Sequence, residues 1–260
     1  MNQAQASFHD RANRKPSPTP AAARLFFPLA VIVIAIVGFI GFSRFYMHGT
    51  AYPDREIPPP IKGLVIAHGV AMSAWLVLLL IQPSLILARK RKLHMKLGRV
   101  GAGLAALVVL FGLWTAVRSA QVTPPDVVLW GMSPKQFMAV STISIVVFAA
   151  FVTLGVVFRR TAHVHRSMMI LGTLFVLTAA CDRIDPLKNL YLGTFWADIF
   201  GPYFMTLILG ILLVAVRSVL ARKFDTVFAV GTLILIVLAA ITMKIGPTSA
   251  WDTFASIFVK

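Results

Sequence analysis

The stretch Leu64–Ala88 runs through the chain without a single Asp, Glu, Lys or Arg. A helix rises 1.5 Å per residue, and about 20 mainly apolar residues cross a bilayer core. A run of this length and purity has few homes in water, because a soluble helix of the same length carries a charged face. The chain therefore reads as membrane-embedded, and further runs of the same kind fill almost all of its 260 residues.

Seven spans are expected: Leu25–Ser43, Leu64–Ala88, Leu97–Val117, Pro134–Phe158, Ser167–Asp182, Pro202–Val216 and Thr226–Met243. The first is too long for the apolar core of a cleaved signal peptide and runs into Arg44. Ser133 stands as N-cap of the fourth, with proline in its first turn. The fold class is thus an all-α, polytopic membrane helical bundle. Residues 1–23, polar and bearing KPSPTP, read as a disordered cytoplasmic tail; 24–245 form the bundle; 246–260 form a short outer interfacial tail. In that tail Trp251, Phe254 and Phe258 share a helical face.

The formal charge of +16 raises the question of nucleic acid. The cations, however, sit in short clusters between apolar runs, and no segment is left to build a soluble basic groove. Counted on alternate sides of the seven spans, Lys and Arg divide sixteen against nine. The richer side holds the N-terminal tail, Arg89–Arg99, Arg159–Arg166 and Arg217–Lys223. By the positive-inside rule that side is cytoplasmic, so the N-terminus is expected inside and the C-terminus outside. Cys181, the single cysteine, excludes an internal disulfide and a cysteine-built metal cluster and reads as a packing residue.

Polar residues inside the spans carry what functional information there is, because a polar group facing hydrocarbon is costly. Helix two places His68, Met72, Trp75, Leu79 and Gln82 on one stripe, and Pro83 is expected to weaken its inner half. Helix three opens on His94 and continues as Gly98, Gly101, Ala105, Val108 and Gly112, a smooth face suited to close helix packing or to a flat ring. Helix five leads from His165 through Met169, Gly172, Val176 and Ala179 to Arg183. It is short for a bilayer, which draws Asp182 and Arg183 into the outer half of the membrane, paired with each other or with His68.

The stretch AHGVAMSAWLVLLLIQPSLILARKRKLHMKLGRVG, followed by AHVHRSMMILGTLFVLTAACDRI, resembles a family of bacterial multi-pass membrane proteins known as a domain of unknown function. His68, Gln82, His94, Gly98, His165, Arg166, Met169 and Arg183 fall on the family's motif positions, while Met95 stands where the family usually has Arg. The resemblance covers Gly63 to Arg183 and implies a helical bundle in a bacterial inner membrane, with no known activity. A fainter likeness, to diheme cytochromes of the ascorbate-reducible type, implies histidines that hold haem b.

Two function classes follow. In the first, the protein transfers electrons through haem b, with His94 and His165 on the cytoplasmic side and His68 and His48 on the outer side as axial ligands. In the second, it is a non-redox membrane protein (a small permease, a lipid-handling protein or an assembly partner) in which His68, Gln82, Asp182 and Arg183 line a polar path. No nucleophile, base and orienter can be named for a hydrolase. The one partner both classes require is the lipid bilayer.

Overall fold

The computed structural model describes residues 21–52 and 55–259. Seven helices are long and apolar enough to cross a membrane. They are α1 (Ala21–Gly41), α2 (Pro59–Leu87), α3 (Arg91–Val122), α4 (Pro134–Val157), α5 (Ala162–Val176), α6 (Phe204–Ala221) and α7 (Thr226–Ile245). A short turn of helix, Thr178–Cys181, carries α5 onward, and Phe195–Phe200 leads into α6. The protein is an all-α polytopic bundle, as its apolar runs require. Of the tail expected over residues 1–23, all but the last three lie outside the described residues, and α1 already begins at Ala21. A two-stranded antiparallel ribbon, Thr50–Tyr52 with Arg55–Glu56, links α1 to α2.

α5 is the axis. Ser167, Leu171, Thr173, Leu174 and Phe175 are all at most 1% exposed. The other helices form a ring around it in the order α1, α2, α3, α4, α7, α6, each packed on the next. Small residues set the spacing. A Cβ on Gly172 would stand 3.0 Å from Cβ of Phe151 and 3.3 Å from the Phe148 carbonyl, so α4 and α5 lie nearly backbone to backbone. A Cβ added at Gly101 would come within 2.6 Å of Leu78 Cδ2, so glycine there lets α2 close on α3. Hydrocarbon tails are as apolar as leucine, so packing of this kind and interhelical hydrogen bonds hold such a bundle together, where a water-soluble core relies on the hydrophobic effect. For the same reason Val70, Val100, Leu110 and Val219, each more than half exposed, are ordinary lipid-facing residues.

Specific polar ties complete the frame. Trp75 on α2 donates its indole N–H to the Thr173 hydroxyl on α5 at 3.0 Å. Tyr203, fully buried, donates to the Val140 carbonyl at 3.0 Å and lies 2.8 Å from the Ser144 hydroxyl. At the basic end Arg217 pairs with Asp225 at 3.1 Å, donates to the Ala23 carbonyl at 3.0 Å and lies over the Phe27 ring. This clasp joins α1, α6 and the start of α7. α4 starts with the expected Ser133 cap, completed by Gln136 as a capping box.

Several boundaries differ from the sequence expectation. α3 extends from Arg91 to Val122, well beyond Leu97–Val117, because its basic first turn and polar last turn emerge from the bilayer as continuous helix. α5 begins five residues earlier than Ser167 for the same reason. Pro83 does not break α2, which continues to Leu87. Residues Ser249–Ala255 form a helix that packs on α4, where Trp251 donates to the Lys135 carbonyl at 3.1 Å and Lys135 pairs with Asp252 at 3.3 Å.

Candidate functional site

Two groups of polar residues sit at opposite ends of α2. Fourteen residues separate His68 from Gln82, about 21 Å along a helix.

At the end away from the basic clusters, a cavity of about 340 Å³ opens between α2, α3, α4 and the end of α5. That size lies within the range of small-molecule sites, about 300–1,000 Å³. Its walls are mainly apolar: Val65 and Met72 from α2, Ala116 from α3, Phe137 and Ile145 from α4, Val176 from α5, and Phe42 and Phe45 from the continuation of α1. His68 lines it from α2 and Thr115 from α3. The His68 ring lies over Gly112, where a Cβ would come within 3.2 Å of Cε1. Glycine at that position is what leaves the imidazole its place.

Among the described residues, four buried side-chain polar atoms make no hydrogen bond: His68 Nδ1, Gln82 Oε1, Thr115 Oγ1 and Ser167 Oγ. Two of them, on His68 and Thr115, belong to residues of the cavity wall. Buried polar groups are nearly always paired, and leaving one unmade costs about 1–3 kcal/mol. The cavity wall therefore includes two residues, His68 and Thr115, whose buried polar atoms the chain itself leaves unpaired.

Asp182 and Arg183 also line this cavity. Asp182 is buried and accepts the Trp130 indole N–H at 2.9 Å. Arg183 donates to the Ala179 carbonyl and lies 4.9 Å from the Phe42 ring centre. Trp130 stacks on Tyr191 at 5.7 Å. Burial, followed by the nearby Asp182 carboxylate, pushes the Tyr191 phenol well above its ordinary pKa. His48 is exposed at the end of the short helix Ser43–His48 and is not part of the cavity wall.

The floor of the cavity is closed. Below His68 and Met72 on the α2 stripe come Trp75 and Leu79, both buried. Trp75 meets Phe148 edge to face at 5.1 Å, within a cluster that includes Val108 and Val152. This apolar plug separates His68 from Gln82.

At the basic end, His94 and His165 come together, with ring centres 6.4 Å apart and planes at 86°. The Nδ1 of His94 lies 3.3 Å from the Gln82 carbonyl on α2, and that of His165 lies 2.8 Å from the Gly155 carbonyl on α4. Each carbonyl can only accept, so each Nδ1 carries a proton, and in the neutral ring Nε2 is the nitrogen that keeps a lone pair. The open glycine face expected to admit a flat ring is partly taken up by neighbours: a Cβ added at Gly98 would touch Gln82 Nε2 at 3.7 Å, one at Gly101 would meet Leu78, and one at Gly172 would meet Phe151.

Sequence reasoning placed His68 on an inward stripe but did not pick out Thr115. The signal was present, since the small-residue face of α3 that runs through Val108 and Gly112 continues to Thr115 and Ser119 at the same spacing. His94 and His165, expected as a pair because both open helices on the basic side, do come together in the structure. Comparison with family models, curated proteins and solved structures gives no match. The likeness to the bacterial multi-pass family therefore rests on its motif positions alone.

Proposed function

We propose that this integral membrane protein binds a small, mainly apolar molecule in the cavity between α2, α3 and α4. The ligand presents a carbonyl or hydroxyl to His68 and Thr115. The observation that carries this reading is one ligand-sized, mainly apolar cavity whose wall includes His68 and Thr115, each with a side-chain polar atom that the chain leaves unpaired. It develops the non-redox class, with one change: the polar residues of α2 belong to two separate sites rather than to a single path. The Lys and Arg count supports an N-terminus in the cytoplasm, so that the cavity opens outward; the bacterial inner-membrane setting rests on the family resemblance.

The haem b reading keeps one supporting observation, the meeting of His94 and His165. Against it stand the side chains that fill the glycine faces beside both histidines. An absorption spectrum of the purified protein tests it directly.

The binding reading is tested by extracting small molecules from purified wild-type protein and from Gly112→Val, whose added methyls fill the cavity beside His68. A discrete compound present near one per chain in the wild type and depleted at least tenfold in the variant supports it. Equal extracts contradict it.

A further inference from the structure

We infer that His94 and His165 form a binding site for a single copper(I) ion at the basic end of the bundle. The site is separate from the cavity, and its fate does not depend on the binding reading above. The two imidazoles arrive from different helices, α3 and α5, and each is oriented by a backbone carbonyl from a third or fourth, Gln82 on α2 and Gly155 on α4. An Nδ1–H held by a carbonyl, with Nε2 left as the donor atom, is the outer-shell arrangement that fixes the tautomer of a metal-binding histidine.

The spacing selects the coordination. With an ion ~2.0 Å from each nitrogen, two imidazoles on opposite sides of it hold their ring centres about 6–6.5 Å apart, whereas a tetrahedral angle brings them to about 5 Å. The observed 6.4 Å is the separation that the near-linear case requires, with the two Nε2 atoms turned toward one another about the ion. Planes at 86° are compatible with it, because rings sharing one donor axis are free to turn about it.

Charge selects the ion. Two neutral imidazoles bring no negative charge, and among the described residues no third His, Cys, Asp or Glu joins them in a metal-holding group. Lys92, Lys96, Arg99, Arg160 and Arg166 lie within a few residues of the pair along the chain. A divalent ion would meet twice the repulsion that a monovalent one meets there. Two-coordinate binding by neutral nitrogen is ordinary for copper(I), and imidazole and thioether donors favour copper. Met169 stands one turn after His165 on the same face, and the buried Oε1 of Gln82 has no partner.

The test is an anaerobic competition titration of full-length protein in mild detergent, with copper(I) held by bathocuproine disulfonate under reductant. Wild-type protein should withdraw one copper per chain, and His94→Ala and His165→Ala should each weaken binding at least tenfold. His163→Ala, two residues away on an exposed face, should leave it unchanged. His94→Met, which keeps a soft donor, should retain copper(I), so that a folding defect in an alanine variant does not decide the matter. X-ray absorption should show two nitrogen neighbours at ~1.9–2.0 Å. Wild-type protein that withdraws no more copper than a His94→Ala/His165→Ala double variant overturns the inference. So does tighter binding of zinc(II) than of copper(I), or a Soret band lost with the same two histidines.

Discussion

The imidazole of His68 rests on Gly112: a Cβ at position 112 would stand 3.2 Å from His68 Cε1 and 2.6 Å from Ile145 Cδ1. Both neighbours line the cavity, and both end in movable side-chain atoms. Gly112→Ala should therefore be absorbed by rotation of Ile145 and a shift of His68, at a cost of about 1 kcal/mol. Thermal stability in detergent should change little, while the amount of co-purifying small molecule falls. A variant that keeps its full complement of ligand would show that this face of α3 does not shape the site.

Trp75, one turn below Met72 on α2, ties that helix to the central one through Thr173. Trp75→Phe removes that hydrogen bond and keeps most of the bulk, so it should cost about 0.6 kcal/mol, the average for interhelical bonds in a bilayer. Trp75→Ala removes a buried aromatic, at about 3–5 kcal/mol. Thermal melts should separate the two changes clearly. Equal effects would mean that the indole N–H, rather than the ring, carries the contribution.

Gly41 and Gly103 make a paired test of packing. A Cβ at Gly41 would collide with the backbone carbonyl of Ala180, where nothing can rotate away, while at Gly103 it would meet nothing within 4 Å. Gly41→Ala should lower stability by about 1–3 kcal/mol through separation of α1 from the end of α5. Gly103→Ala should be neutral or slightly stabilising, since alanine favours helix over glycine. Melting curves that coincide would contradict the placement of α1.

Reporter fusions test the orientation. Those placed after Arg99 and Arg166 should read cytoplasmic, and those near Asp126 and Asn189 external, following the division of Lys and Arg. A reversed pattern at two of the four sites would put the cavity on the cytoplasmic side.

Most of the fold was legible because each span announces itself locally, by length and by the absence of charge. The Ser133 cap and the packing face of α3 through Gly101 and Ala105 were legible for the same reason. Boundaries were less so: the apolar spans alone start at Leu97 and Ser167, yet the polar stretches before them belong to the same helices, which begin at Arg91 and Ala162. The site was half legible. The cost of a polar group in lipid pointed His68 inward, but which wall would face it depends on the ring order of the helices. That order places Thr115 and Ile145 opposite His68, and it is a property of tertiary packing that spacing along one helix does not encode. At the other end the shared basic side of helices three and five was enough to pair His94 with His165, although 71 positions of sequence separate them.

The proposed binding requires that small molecules reach the cavity lined by His68 and Thr115 from the end of the bundle opposite the basic clusters. Cysteine labelling in intact cells tests it most directly. Thr115→Cys and, as a lipid-facing control, Gly103→Cys would each be placed in a Cys181→Ala background and exposed to a membrane-impermeant thiosulfonate. Labelling at position 115 well above that at position 103, suppressed when Gly112→Val is added, is the predicted result. A position 115 as inert as position 103, in protein that is folded and in the membrane, would contradict the account.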